Sequence, residues 1–79
     1  MKLGEYLKDC REHVGLVQKD IADAFGYTSS QFVSNVERGL ALPPLARLKE
    51  WGEMVKADKK LLTNLLVDRY EKEVKTAFK

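Results

Sequence analysis

Cys10 and His13 stand three residues apart, a spacing that sets two metal ligands side by side on one face of a helix. A structural zinc site needs four ligands, and the chain has one cysteine and one histidine in all. A core cysteine beside a surface histidine is the better reading. Nucleophilic catalysis fares no better, because no base accompanies a nucleophile and no Gly-rich elbow offers an anion hole. Acidic residues alternate with basic ones, and no carboxylate pair is set to flank a substrate. These residues predict no enzyme, no metal and no cofactor.

A different chemistry lies between Tyr27 and Val36, a stretch without one charge in a chain that is 33% charged. It holds Ser30, Gln31, Ser34 and Asn35 around Val33 and Val36. An amide side chain gives and accepts a hydrogen bond in one plane, which complements the edge that adenine presents in the major groove of DNA. Serine is less selective. A free surface that merely meets water would be expected to carry charge, so base contact is the favoured reading of this stretch. Between Asp23 and Glu50 the sole acidic residue is Glu37, against Arg38, Arg47 and Lys49, and phosphate would meet little repulsion there.

The elements that must position these residues are helices throughout, since apolar spacing follows the helical period and no window alternates as a strand does. Leu3, Leu7, Cys10 and Val14 line a first helix, Cys10 thereby falling in the core. A second, short helix spans about Gln18 to Phe25. Ser29 or Ser30 caps a third, whose inner face carries Val33 and Val36. Gly15, Gly26 and Gly39 close these three helices. Pro44 takes the first position of a fourth, with the stripe Leu45, Leu48, Trp51 and Val55. Asp58 caps a longer fifth helix reaching about Ala77. Trp51 and Tyr6 fit apolar stripes. Phe32 fits two roles, a thymine-methyl contact or packing at the core edge.

Two short helices joined by a tight turn, the second neutral on its outer face, meet the requirement for entering the major groove. The run Leu16 to Gly26, then Ser29 to Gly39 ending Val36-Glu37-Arg38-Gly39, then Pro43-Pro44 with Leu45, Leu48 and Trp51, resembles the helix-turn-helix domain of the lambda-repressor and Cro (XRE-type) family. The resemblance covers Leu3 to about Val55. It implies a compact, all-α, five-helix lambda-repressor-like fold, here with an extended C-terminal helix. It also implies a structural ion pair between Glu37 and Arg11, base reading by Ser30, Gln31, Ser34 and Asn35, and backbone contacts from Gln18, Lys19, Ser29 and Arg38. Two departures stand out: Val17 replaces the usual Thr or Ser cap of the second helix, and the turn after Gly26 is one residue longer than the common pattern.

At 79 residues the chain is one small domain with a thin stability margin, divided here into residues 1–57 and a C-terminal helix, residues 58–79. Residues 1–57 carry eight basic and eight acidic residues, and the net charge of +2 lies in residues 58–79. In that segment Leu61, Leu62, Leu65, Leu66, Tyr70 and Val74 are expected to bury against the domain or a second subunit, which makes a homodimer the expectation. No apolar run approaches the roughly 20 residues that span a bilayer, so no membrane is involved. Met1 to Glu5 runs straight into charge, and a cytoplasmic location is expected. The functional expectation is a DNA-binding transcriptional regulator, more specifically a repressor bound to double-stranded DNA at a palindromic operator. The alternative is a protein-interaction module, such as an antitoxin, that uses the same scaffold to hold a protein partner.

Overall fold

The computed structural model describes residues 1–78. Five helices follow in order: α1 Leu3–His13, α2 Gln18–Ala24, α3 Gln31–Glu37, α4 Leu45–Met54 and α5 Lys59–Ala77. No strand occurs among the described residues. The chain is an all-α domain, as its apolar spacing predicts.

One core holds the elements together. Leu3 and Leu7 of α1, Ile21 and Ala22 of α2, Val33 and Val36 of α3, Leu48 and Trp51 of α4, Val55 just after α4, and Leu65 of α5 are all buried. Trp51 sits at its centre, fully buried, with its ring 5.8 Å from Phe25. Phe32 packs at the core edge, its ring set edgewise 5.2 Å from Tyr27, which resolves its two sequence roles toward packing. Gly26 adopts φ +73°, a left-handed conformation that glycine enters without steric cost, and this turns the chain out of α2 toward α3.

Four details differ from the sequence expectation. Cys10 is half-buried and packs against the core without entering it, because the innermost stripe of α1 runs through Leu3, Gly4, Leu7 and Arg11. Pro44 precedes α4 as its cap residue, with extended ψ of 150°, and its carbonyl accepts from the Leu48 N–H at 2.9 Å. Leu45 is 71% exposed, since the first turn of α4 projects past its neighbours while Leu48 and Trp51 point inward. In α5 only Leu65 is buried, with Leu62 and Leu66 half-buried against the core; Leu61, Tyr70 and Val74 are exposed. The C-terminal half of α5 has outrun the domain it packs on.

The start of α5 is fixed twice. Asp58 caps it, the carboxylate accepting from the Leu61 N–H at 2.9 Å, and the Asp58 N–H donates to the Tyr6 hydroxyl at 2.8 Å. Burial pushes the Tyr6 phenol above its ordinary value of 10.0, so the neutral ring is favoured in the folded state. The folded chain therefore holds its proton to higher pH than the unfolded chain does, and this stability is complete below pH 10 and lost as pH rises through the raised value. Tyr6→Phe should cost about 0.5–1 kcal/mol at neutral pH through the lost hydrogen bond and should flatten the alkaline limb of a plot of urea midpoint against pH.

Candidate nucleic-acid interface

Helix α3 is placed by the contacts it makes with the other helices. Its inner residues Val33 and Val36 enter the core, and Glu37 is buried at its last turn. Arg11 Nε donates to Glu37 Oε2 at 2.7 Å and Arg11 Nη2 to Oε1 at 3.1 Å, a two-pronged pair in which both side chains are buried. Arg11 Nη1 also donates to the Leu16 carbonyl at 2.8 Å, and Gln18 Nε2 donates to Glu37 Oε1 at 2.9 Å. The carboxylate thus ties α1 and α2 to the end of α3, and its guanidinium partner adds the turn before α2. Its hydrogen bonds to Arg11 hold that guanidinium above its ordinary pKa, against the opposing effect of burial. The ion pair expected between Arg11 and Glu37 is present, and Glu37 faces inward.

A fourth tie comes from α5, where Arg69 Nη2 donates to the Gly39 carbonyl at 3.2 Å while Nε pairs with Glu73. Helix α2, at the other flank, starts without a side-chain cap from Val17, but Asp20 supplies half of the usual box: its carboxylate accepts the Val17 N–H at 2.8 Å. That acceptor lies one turn inside the helix, where an anionic side chain is favoured by the exposed amides and the dipole.

With α3 held in this way, its outer face is left free. Gln31 is exposed, Ser34 and Asn35 are half-buried, and Ser30 is half-buried at the helix start. The Ser30 side chain makes no capping bond; instead the Ser29 Oγ accepts the Gln31 N–H at 3.3 Å. Gln31 Nε2 donates to Asn35 Oδ1 at 3.0 Å, and Arg38 Nη2 donates to the same oxygen at 2.7 Å. The structure therefore brings Gln31, Asn35 and Arg38 together as one ladder along a single face. The three stand four and three residues apart, which the sequence displays, but which of their atoms meet is a matter of rotamer and could not be read from it.

The expected backbone contacts are differently engaged. Lys19 is exposed and pairs with Asp23 at 2.8 Å, a contact that raises the lysine pKa, so its charge is partly answered within α2. Gln18 is half-buried, and one amide hydrogen is committed to Glu37. Arg47 lies over the Phe25 ring at 5.3 Å, a cation–π placement at the end of α2 that joins residues 22 positions apart and has no local sequence signal. Among the described residues no cluster of three His, Cys, Asp or Glu side chains could hold a metal, and no helix is long and apolar enough to cross a membrane. Comparison with known proteins finds no matching family model, no matching curated protein and no matching solved structure.

Proposed function

We propose that this chain is a sequence-specific DNA-binding transcriptional regulator of the helix-turn-helix type, a repressor that occupies a palindromic operator as a homodimer in the cytoplasm. The observation that carries the reading is the outer face of α3: uncharged from Ser30 to Asn35, rich in amides, and held from behind by a buried ion pair. A major groove admits one helix, and neutral donors and acceptors are what its base edges discriminate. Arg38 at the end of α3 and Arg47 beside the end of α2 supply positive charge at both flanks, where phosphates would lie.

The dimer reading draws on Val67, Tyr70, Val74 and Phe78 of the C-terminal segment, all exposed and spaced three, four and four apart. That spacing makes one apolar stripe, which a second copy would cover while setting two α3 helices against half-sites about one helical turn apart. The same stripe favours the second reading, in which it receives a different protein, as in an antitoxin.

A salt titration on duplex DNA separates the two. Affinity for DNA should fall steeply with salt, with a log–log slope near −0.9 per phosphate contacted, whereas an apolar protein interface responds little. Replacing Gln31 and Asn35 together with alanine should remove about 1–3 kcal/mol of discrimination per lost base contact, read as the ratio of affinities for a selected site and a random duplex. Duplex affinity that is absent, or flat with salt, would transfer the proposal to the protein-partner reading.

A further inference from the structure

The ladder on α3 fixes which way its amides face, and this sets the bases they can accept. A guanidinium only donates, so the Asn35 atom 2.7 Å from Arg38 Nη2 is the carbonyl oxygen. The Gln31 atom 3.0 Å from that same oxygen is in turn the amide nitrogen. A carbonyl oxygen has two lone pairs, and in Asn35 both are taken. What Asn35 can offer outward is its NH2 group alone. Gln31 has spent one hydrogen on Asn35 and keeps its oxygen and its second N–H.

Adenine requires one acceptor, for its N6 amino group, and one donor, for N7; guanine presents two acceptors, N7 and O6. Resting on the DNA-binding reading above, we infer that Arg38 acts as a specificity-positioning residue: by holding Asn35 Oδ1 it turns Asn35 into a donor that reads guanine and rejects adenine, while Gln31 retains the pattern for adenine. The two amides of one helix face thus read different purines. Arg38 exerts this effect through Asn35, beyond the sequence-independent attraction that its charge has for phosphate, which would strengthen all sequences alike.

The test is selection of bound duplexes from a random pool, run at low salt so that loss of one cationic side chain leaves binding measurable. Wild type, Asn35→Ala and Arg38→Met are compared. The operator position read by Asn35 is the one whose preference disappears in Asn35→Ala, and wild type should hold guanine there. In Arg38→Met the freed amide can turn, and adenine should rise at that position by roughly ten-fold relative to guanine, the scale of one good base contact. Adenine already preferred by wild type, no position losing its preference in Asn35→Ala, or an Arg38→Met pool of unchanged preference and uniformly weaker binding would each overturn the inference while leaving DNA binding intact. A wild-type protein that selects no sequence at all would instead remove the reading on which it rests.

Discussion

Arg11→Ala is expected to cost about 3–5 kcal/mol, because it leaves the Glu37 carboxylate buried and without its cation. A domain of 79 residues holds roughly 4–12 kcal/mol in total, so the loss removes from about a quarter to all of its stability and should lower the urea midpoint sharply. The geometry explains the size of the loss. Both side chains are less than a tenth exposed, the pairing is two-pronged, and the third guanidinium branch satisfies the Leu16 carbonyl. Glu37→Ala should be nearly as costly, since it strands the guanidinium and also frees the Gln18 amide. The paired replacement Arg11→Met with Glu37→Leu removes both charges and fills the space with apolar atoms; it should recover most of the stability. Urea midpoints of the three proteins decide the matter. A single Arg11→Ala loss below about 1 kcal/mol would place the pair with ordinary surface contacts. The recovered double variant has a further use, because it would show whether α3 keeps its orientation when apolar packing alone replaces the charged tie.

The number and order of helices were legible because each apolar stripe and each closing glycine is a local signal: Gly15, Gly26 and Gly39 all take positive φ, and Leu7, Ile21, Val36 and Trp51 all face inward. The Arg11–Glu37 pair was legible by another route, since only the family resemblance pointed to a partner 26 residues away; composition could not. What the sequence hid is governed by how far each element extends beyond its neighbours. Tyr70 and Val74 continue the stripe of Leu62 and Leu66 without a break, and nothing local marks the point where the domain beneath α5 ends. Leu45 shows the same limit at the start of α4. On the outer face of α3, residue types announced amide chemistry, but the direction of Asn35 depends on Arg38, and Gln18 turns inward because Glu37 Oε1, already bonded to Arg11, can accept a second hydrogen bond. Such couplings belong to side-chain placement after the helices have docked.

Docking of α1 on α3 has a second requirement besides the ion pair, and Gly4→Ala against Gly52→Ala exposes it. A Cβ at Gly4 would stand 2.5 Å from the carbonyl oxygens of both Val36 and Glu37. Those oxygens belong to the backbone of the α3 terminus and cannot step aside, so α1 must move as a body. The expected cost is about 3 kcal/mol, the upper part of the range for overpacked sites. A Cβ at Gly52 also meets an atom at 2.5 Å, but that atom is Cδ2 of Leu62, the end of a half-buried side chain with rotamers in reserve. There the gain of about 1 kcal/mol from replacing glycine inside a helix should offset most of the repacking, leaving stability within about 1 kcal/mol of wild type. Two identical substitutions with the same closest approach should thus differ by several-fold in effect, and the difference isolates whether the obstacle is backbone or side chain. The displaced α1 also carries Arg11 away from Glu37, so Gly4→Ala and Arg11→Ala should be non-additive: combined, they should cost less than the sum of the two, because the first has already loosened what the second removes. Equal denaturation midpoints for the two glycine variants would mean that the α3 backbone yields as readily as the Leu62 side chain, and strict additivity with Arg11→Ala would mean that the approach of α1 to α3 and the buried pair support the outer face of α3 independently.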